Sequence, residues 1–340
     1  MRIAVLEWIC GSGCESAEAG LSELSDLFGE GWQMLAAVTQ LLSRAGHVVE
    51  LVLDKRLAKV EFVEPSFQQL LVELGSVVVT YVDSQSIPQT LDQWRQIAIR
   101  CDLSIVIAPE IDGVLETVVD TLGSAGCELL NCSGDFLEKA SDKLLAAESL
   151  GTSELLHPPT TILLELNEAW VEANRQGKSG EWVIKPRRGA DCHQLVITKN
   201  PCLLQAEFGD PEQWIVQPLI AGENFSQSYF AEPCGNLHRF AAMRQRIERM
   251  SKVGESGLRF AEVIPCQEVP PELTPAELKQ IFGSGACGWI GFDWLRDDKD
   301  RWWLIECNPR FTTSVAFLDA EAQKELIECF ARLRREAWGS

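Results

Sequence analysis

The chain of 340 residues is long enough for two or three packed subdomains with a sizeable core. Hydrophobic residues make up 46% and charged residues 24%, a composition that is typical of a globular protein and excludes a largely disordered chain. The formal net charge of −20 argues against a nucleic-acid partner, because nucleic-acid binding depends on phosphate neutralisation by Lys and Arg. Any nucleotide site must therefore be a local cluster of basic residues.

The twelve cysteines contain no C-x-x-C pair, and several lie in apolar segments, which indicates buried thiols in a reducing compartment. Cys10 and Cys14 flank a Gly-Ser-Gly loop and could form a disulfide or half of a metal site, but no second pair has matching spacing. The N-terminus lacks a signal-peptide pattern, and no segment approaches transmembrane length. We therefore expect a cytoplasmic protein that does not contact membranes.

Short apolar runs alternate with helical patterns over the first 130 residues. Residues 2–9 predict a strand, a loop follows at 10–20, and apolar spacing predicts a helix around 34–42. Further buried strands are predicted at Val48–Leu53, Val77–Val82 and Ser104–Ala108. Because parallel strands need crossover helices, this pattern favours one open α/β domain with a parallel sheet.

Gly11 and Gly13, after the first strand, match the start of the dinucleotide fingerprint G-x-G-x-x-G. The third glycine is missing, because position 16 is Ser16. A nicotinamide site is therefore disfavoured. We expect the loop instead to border a substrate pocket at the carboxyl ends of the strands.

Two lysines occur in contexts that suit phosphate binding. Ser141 or Asp142 is expected to cap a helix whose first turn carries Lys143. Lys185 ends a predicted strand and is followed by a glycine loop at 187–192. A strand lysine before such a loop can hold the α- and β-phosphates of a nucleotide beneath a mobile cover, without the G-K-[ST] sequence of a Walker A loop. The alternative is an edge-strand lysine before a turn.

The segment 214–223 predicts a strand that leads into a proline-bounded bend. Backbone groups near Gln217 and Leu219 could pair with the edge of adenine. Glu223, placed beyond the bend, could bind the ribose hydroxyls. This segment is therefore a candidate hinge that holds the nucleoside.

Two further strands are predicted at 225–231 and 237–247. The second carries Arg244, Gln245 and Arg246, which are candidates for phosphate and acyl-phosphate contacts. Within this set, Arg246 is the candidate catalytic residue and Arg244 a candidate substrate contact. Solvated charges on a hairpin are the alternative interpretation.

The strand-like segment 302–308 places Glu306 and Asn308 two residues apart, so both point to the same face of a strand. Asp293 lies on a preceding apolar run. Carboxylate and amide oxygens are hard ligands that suit Mg²⁺, or Mn²⁺, and leave positions for nucleotide phosphates. Arg310 adds a cation beside this site. The alternative is a strand end with surface charges that runs into a capped turn.

In this order, the elements resemble the ATP-grasp superfamily over residues 125–320. The resemblance implies an α/β protein in which an N-terminal pre-ATP-grasp α/β domain precedes an ATP-grasp fold. The implied divisions are a pre-ATP-grasp domain at 1–130, an ATP-grasp domain at 131–325, a lid subdomain at about 143–215, a metal-binding subdomain at about 216–325, and a C-terminal helix or tail at 326–340.

The resemblance also implies a role for each candidate side chain. The nucleotide-binding residues would be Lys143, Lys185, Gln217, Leu219 and Glu223. The ligands of two metal ions would be Asp293, Glu306 and Asn308, with Glu306 shared by both ions. The catalytic residues would be Arg310, Lys185 and Arg246, and the substrate contacts would be Thr312, Thr313, Ser314 and Arg244.

Within the superfamily, the chain resembles the tyramine–glutamate ligases of methanofuran biosynthesis and their bacterial relatives. The segments that carry this likeness are Glu30–Leu35, Ala140–Lys143 and Asn308–Ser314. The metal motif departs at Cys307, where a branched aliphatic residue is more usual, but this side chain should face away from the metal ligands. The glycine loop departs from the family pattern at positions 191–192, where smaller residues are more usual. The resemblance therefore does not define how the loop closes or which substrate it selects.

The implied reaction is amide formation that depends on ATP and Mg²⁺. ATP would phosphorylate the side-chain carboxylate of glutamate, and tyramine or a related amine would attack the acyl phosphate. The expected partners are therefore a small-molecule carboxylate and an amine, and a homodimer stays open. The alternatives are another ATP-grasp ligase, either glutamate-adding or similar to D-alanine ligase, and a non-catalytic ATP-binding protein.

Overall fold

The computed structural model of the protein describes residues 1–13, 25–59, 75–84, 86–175, 180–189, 194–240, 242–252 and 255–336. The predictions for Cys14, Ser16 and positions 190–192 lie outside these residues. Among the described helices, none is both long enough and apolar enough to cross a lipid bilayer.

The N-terminal region contains an open, parallel sheet. Its strands are β1 (Arg2–Glu7), β2 (Val48–Asp54), β3 (Val77–Val82) and β4 (Leu103–Ile107). The associated helices are α1 (Ser25–Arg44), α2 (Ile87–Ala98) and α3 (Val114–Ser124). The strand order is β3-β2-β1-β4, with every pair parallel, which confirms the predicted α/β arrangement.

Both faces of this sheet are covered around β1, which explains the apolar sequence of that strand. The prediction of a buried strand at Val77–Val82 is wrong for burial, because β3 is an edge strand in which only Val82 is buried. Ile3 and Val5 pack in a cluster with α1 residues such as Leu35. Ala4 and Leu6, on the opposite face, pack in a second cluster that includes Trp94 of α2. The chain order of the strands reverses between β1 and β4, so the carboxyl ends of these two strands flank a crevice.

A second, larger sheet follows in the chain. Its strands are β5 (Thr161–Ile162), β6 (Trp182–Pro186), β7 (Val196–Thr198), β8 (Trp214–Pro218), β9 (Gly222–Ala231), β10 (Leu237–Arg239), β11 (Met243–Lys252), β12 (Glu255–Pro265), β13 (Gly288–Asp297) and β14 (Trp302–Asn308). Their order is β14-β13-β9-β11-β12-β7-β6-β8-β5, and β10 pairs with β9. The accompanying helices are α4 (Gly134–Ser141), α5 (Lys143–Leu150), α6 (Glu168–Ala173), α7 (Pro275–Phe282) and α8 (Ala320–Glu336).

Two strand predictions need correction. The single strand expected at 237–247 is divided into β10 and β11, which both pair with β9, and the ladder is interrupted between Arg239 and Met243. Glu223 lies beyond the connection at 219–221, as expected, but the next strand begins earlier than predicted, because Gly222 and Glu223 already pair with β13. Gly222 permits this pairing, since a Cβ atom there would lie 2.3 Å from the Arg296 carbonyl oxygen.

The large sheet is stabilised by two different kinds of core. Strands β9, β13 and β14 contribute Phe225, Phe292 and Leu304 to the cluster that also contains Leu6 of β1. Strands β6 and β8 instead belong to a small, separate cluster. Its buried members are Leu163, Leu166, Val171, Trp182, Ile184 and Val216. The metal-candidate strands therefore share a core with the N-terminal sheet, whereas the lysine-bearing strand β6 does not.

Candidate active site

A cavity of about 480 Å³ is lined by residues from β6, β8, β9, β11, β13 and β14. The structure brings most of the predicted site residues together around it. These are Lys143, Lys185, Gln217, Leu219, Asp293, Glu306, Asn308, Arg310, Thr312, Thr313 and Ser314. Residues separated by more than 170 positions in the sequence thus meet in one pocket, as expected of a ligand site.

The metal candidates lie on adjacent antiparallel strands. Asp293 of β13 pairs directly with Glu306 of β14, and Asn308 follows on the same face of β14. The Asn308 amide nitrogen donates a hydrogen bond of 3.0 Å to the Asp293 carboxylate. Cys307, between the two ligands, is buried among apolar side chains, as predicted. The strand pairing therefore sets two carboxylates and one amide side by side.

The charge of Asp293 and Glu306 depends on the groups around them. Burial and the nearby Glu306 carboxylate raise the pKa of Asp293 to about 7, although hydrogen bonds from Asn308 and Gln245 lower it. A divalent cation would favour the ionised carboxylates, because it supplies the positive charge that the pair lacks. The donor set of two carboxylates and one amide fits Mg²⁺ or Mn²⁺ better than a thiol-seeking metal.

Both candidate phosphate lysines approach the same carboxylate. Lys143 Nζ lies 3.5 Å and Lys185 Nζ 3.9 Å from Glu306 Oε2, and both lysine side chains are only 10% exposed. Lys143 Nζ also donates a hydrogen bond of 2.6 Å to the Gly189 carbonyl oxygen. The two ammonium groups therefore offset acidic charge in this state, and anionic phosphate oxygens could take the place of the carboxylate as their partner.

Asp142 is the helix cap that places Lys143. Its carboxylate accepts hydrogen bonds of 3.0 and 3.4 Å from the backbone amides of Leu144 and Leu145, so α5 begins at Lys143. This confirms the cap prediction for Asp142 rather than for Ser141, which ends α4. The cap fixes the position of the lysine at the edge of the cavity.

The beginning of the glycine loop is held by charged side chains. Arg187 lies 2.7 Å from the Asp142 carboxylate, and the backbone amide of Lys143 donates to the Arg187 carbonyl oxygen at 3.0 Å. Arg188 pairs with Glu116 of α3. The described part of the loop is thereby tied to α5 and to the N-terminal domain, while its function as a cover stays a prediction.

The candidate nucleoside hinge lies at the end of β8. Gln217 lines the cavity and donates a hydrogen bond of 2.9 Å from its side chain to the Thr160 hydroxyl. The Leu219 amide donates to the Glu181 carbonyl oxygen at 2.9 Å, so any adenine contact at Leu219 would use its carbonyl or side chain. Apolar side chains around the hinge offer a surface for a flat base. They are Val183, Leu195, Leu219, Ile220, Leu295 and Ile305.

Three predicted site residues, Glu223, Arg244 and Arg246, do not line the cavity. Strand alternation explains their placement, because Asn224 of β9 and Gln245 of β11 face the cavity and their neighbours face away. The structure therefore does not bring these three side chains to the site.

Each of the three has a charged partner elsewhere. Glu223 lies 2.5 Å from Arg296 and 3.3 Å from Arg244, and Arg246 lies 3.1 Å from Glu262. Contacts to ribose, substrate or acyl phosphate would require these ion pairs to open. Their assigned roles stay predictions.

Hydroxyl-bearing residues that follow Phe311 form another part of the cavity wall. Thr312 and Ser314 share a hydrogen bond of 2.7 Å, and the Ser314 hydroxyl lies 2.9 Å from the Ser228 hydroxyl. Gly291 allows this segment to approach β13, since a Cβ atom there would lie 2.9 Å from Thr312 Cγ2. The result is a hydroxyl-lined wall beside Arg310.

Sequence reasoning underestimated Gln245 and missed Glu110. Gln245 Nε2 donates a hydrogen bond of 2.9 Å to Asp293 Oδ1 and so orients a metal candidate. Strand alternation between Arg244 and Arg246 is the signal that could have singled it out. Glu110 binds Arg310 from the N-terminal domain, and no sequence spacing reveals a contact between residues 200 positions apart.

The expectation for the loop after β1 is not met by its described part. Gly11 and Gly13 do not line the cavity. They pack closely beneath aromatic rings, since Cβ atoms there would lie 2.7 Å from Trp94 and 2.1 Å from Trp8. The two glycines therefore serve core packing.

A second group of ligand-type side chains lies outside the cavity, at Glu232, His238 and Cys329. The guanidinium of Arg332 fills this group, with Nη2 at 2.6 Å from Glu232 and 3.1 Å from the Cys329 sulfur. It is an ion-paired network that attaches α8 to the sheet.

Sequence comparison decides the family. The profile of the ATP-grasp domain matches residues 140–314, which are 175 of the 340 residues and contain most of the cavity-lining candidates. The chain belongs to the ATP-grasp family. A pre ATP-grasp 3 domain profile matches residues 51–135, within the region of the parallel sheet. The predicted combination of a pre-ATP-grasp domain and an ATP-grasp domain is thereby confirmed.

Solved structures share this ATP-grasp fold at low sequence identity. An ATP-grasp superfamily protein from Archaeoglobus fulgidus has 19% identity and a TM-score of 0.59, covering 93% of this chain and 83% of its own. D-alanine–D-alanine ligase from Bacillus anthracis has 15% identity and a TM-score of 0.58, covering 99% of both chains. The biotin carboxylase domain dimer of Hydrogenobacter thermophilus 2-oxoglutarate carboxylase, with bound MgADP, has 12% identity and a TM-score of 0.65. The match covers 98% of this chain and 69% of the other. No curated protein is significantly similar in sequence.

Proposed function

We propose that this ATP-grasp protein is an ADP-forming carboxylate–amine ligase that makes an amide through an acyl phosphate. One observation carries the proposal. The ammonium groups of Lys143 and Lys185 and the carboxylates of Asp293 and Glu306 meet in a single cavity beside Arg310. Such a site can hold a nucleotide polyphosphate and divalent ions together, which phosphoryl transfer to a carboxylate requires.

In this proposal, Lys143 and Lys185 exchange the Glu306 carboxylate for the phosphates of ATP. Asp293, Glu306 and Asn308 then hold two Mg²⁺ or Mn²⁺ ions, which offset phosphate charge once bound. Nucleotide and metal would then bind cooperatively. Phosphates would take the lysines away from Glu306, and the metal ions would supply the positive charge that Glu306 then lacks.

Arg310 is proposed to stabilise the phosphoryl group in transfer and then the oxyanion that forms when the amine attacks. Thr312, Thr313 and Ser314 would orient the substrate carboxylate with their hydroxyl groups. The amine forms the new C–N bond, phosphate leaves with the carboxylate oxygen, and a proton passes from the amine to solvent. No side chain of the protein needs to act as a nucleophile.

For the substrates, we propose glutamate as the acid and tyramine or a related aromatic amine as the nucleophile, in methanofuran-type cofactor biosynthesis. The sequence likeness at Asn308–Ser314 supports this assignment. Glu30 and Met34 of α1, from the segment that carries a second likeness, line the cavity and offer a carboxylate and an apolar surface to such an amine. A homodimer is proposed by analogy with the dimeric biotin carboxylase domain.

A second candidate is a ligase that joins amino acids in the manner of D-alanine ligase. The full-length match with the Bacillus anthracis enzyme, which covers 99% of both chains, favours it. A non-catalytic nucleotide-binding protein would be expected to lack a metal ligand or a phosphate lysine. Neither is missing from this cavity.

Incubation with ATP, Mg²⁺, glutamate and tyramine tests the proposed function. We expect release of ADP and phosphate and formation of a γ-glutamyl amide, detected by mass spectrometry. Hydroxylamine in place of the amine should give a hydroxamate. AMP and pyrophosphate would contradict the acyl-phosphate reaction, while ADP release with a different acid and amine would remove only the substrate assignment. Nucleotide binding without ADP release under any pair would favour a binding protein.

A further inference from the structure

Arg310 is held by a carboxylate from the other domain. Its Nε atom lies 3.0 and 3.1 Å from the two carboxylate oxygens of Glu110, and the two side chains are only 10% and 3% exposed. Nη1 of the same guanidinium donates to the Phe311 carbonyl oxygen at 3.3 Å. Contacts at Nε and Nη1 fix both the position and the plane of the guanidinium.

Glu110 is itself firmly placed. It follows β4 at the carboxyl edge of the N-terminal sheet and precedes a single turn of 3₁₀ helix at Ile111–Gly113. Asp112 and Gly113 both have left-handed backbone conformations, with φ of 51° and 70°. This tight turn directs the Glu110 side chain across the crevice between the two domains. It leaves the carboxylate almost fully buried against Arg310.

We propose that Glu110 is a positioning residue that aims Arg310 at the reacting phosphoryl group. The inference rests on the proposed function, because Arg310 has to act in the chemical step. An arginine on a loop samples many side-chain conformations, and a hydrogen bond from Nε that is shared by both oxygens of a buried carboxylate removes most of them before substrate binds. Glu110 touches no reacting atom in this scheme and acts only through Arg310.

The proposal gives the N-terminal domain a part in catalysis. Glu7, at the end of β1, is also buried, but its carboxylate accepts a hydrogen bond of 2.6 Å from the Cys10 backbone amide and so has a partner within its own domain. Glu110 is thus the acidic residue of the N-terminal domain whose contact with Arg310 the structure shows. Loss of Glu110 would leave Arg310 without its main orienting contact while preserving the cavity.

A double-mutant cycle in the rate of ADP release tests this role. Glu110→Gln should lower kcat by about tenfold to a hundredfold, as expected for loss of a buried charged hydrogen bond, with the KM for ATP changed by less than about twofold. In an Arg310→Ala background, the same substitution should change kcat by less than about twofold, because its target is already gone. Glu110→Asp, which keeps the charge, should recover part of the loss.

Glu232→Gln provides a matched control, because it removes an equally buried carboxylate from Arg332, outside the cavity. It should lower the temperature of unfolding without changing kcat. Equal losses from Glu110→Gln in both backgrounds, or an unchanged kcat, would overturn the positioning role while the ligase activity stands. A wild-type protein that releases no ADP with any acid and amine would overturn the proposed function itself, and the role of Glu110 with it.

Discussion

The two sides of the cavity are built differently. The carboxylate side is the hairpin of β13 and β14, whose large side chains, such as Phe292 and Trp294, are fully buried in a core shared with the N-terminal sheet. The lysine side is β6 and β8, which have their own small core, and the loop after β6 is tied down by ion pairs of Arg187 and Arg188. Buried apolar packing in the shared core fixes the metal candidates and also α5, which carries Lys143, whereas Lys185 lies on a strand outside that core. Both lysine side chains end at a charged contact with Glu306 that a nucleotide could replace.

The largest expected effect comes from the carboxylate side. Glu306→Gln should lower turnover on the order of a hundredfold to a thousandfold, because this carboxylate would be shared by both ions. Thermal unfolding should stay near that of the wild type, since the strand core is untouched. Glu321→Gln, an exposed change on α8 away from the cavity lining, is the control and should leave turnover unchanged. Near-normal ATP consumption by Glu306→Gln would show that the metal assignment is wrong.

On the lysine side, Lys185→Ala should weaken ATP binding and slow the chemical step together. Its ammonium would offset phosphate charge in both the ground state and the transition state, so kcat/KM for ATP should fall by about ten- to a hundredfold. Titration calorimetry with a non-hydrolysable analogue and the steady-state rate provide the two measurements. Lys279→Ala on α7, distant from the cavity lining, is the control. Unchanged affinity and rate would reject the phosphate role of Lys185.

The stability of the β13–β14 hairpin should depend on Asp297, which lies at its turn. The Asp297 carboxylate accepts hydrogen bonds of 2.9 Å from the Lys299 amide and 3.0 Å from the Trp303 indole. Burial would raise its pKa, but the hydrogen bonds from Trp303 and Arg301 outweigh burial and hold the pKa well below its usual range. Asp297→Ala should therefore lower the free energy of unfolding by about 2–4 kcal/mol at neutral pH, measured by urea denaturation.

Because the pKa of Asp297 is lowered in the folded protein, the stability difference between wild type and Asp297→Ala should depend on pH. A carboxyl with a depressed folded-state pKa stabilises the fold fully above its unfolded pKa of about 3.9, and this contribution is lost as the pH falls towards the folded value. The stability gap between wild type and Asp297→Ala should therefore shrink below about pH 4. A gap that stays constant down to pH 2 would contradict the hydrogen-bonded anion.

The smallest expected effect is a change in loop protection. Binding of Mg²⁺ and a non-hydrolysable ATP analogue should draw Lys143 Nζ from the Gly189 carbonyl to phosphate, and the amides of Arg187–Gly189 should exchange hydrogen more slowly once covered. The β13–β14 hairpin should show little change, because its core is already packed. Equal changes in hydrogen exchange in the loop and in the hairpin would contradict the proposed difference between the two sides of the cavity.

The sequence predicted those features that depend on local patterns. Strands β1 and β4 are buried and mostly apolar, and Asp142 before Lys143 is a local cap. Glu306 and Asn308 share a face because strand alternation requires it. Each of these follows from neighbours within a few residues.

The features that sequence patterns could not predict depend on register and tertiary contact. Alternation alone does not say which face of β9 or β11 meets the cavity. In the structure Asn224 and Gln245 line the cavity, while Glu223 and Arg244 pair with each other on the other face. The interruption between β10 and β11 reflects pairing with β9. The contact of Glu110 with Arg310 exists only once two domains have packed.

Transfer of an oxygen isotope tests the central claim most directly. With glutamate labelled by ¹⁸O in its side-chain carboxylate, an acyl-phosphate ligase should pass one labelled oxygen to each phosphate it releases, alongside equimolar ADP and amide. Glu306→Gln should slow the appearance of labelled phosphate by the same factor as turnover. Unlabelled phosphate from wild-type protein that is making the amide, or label in AMP, would contradict the acyl-phosphate mechanism.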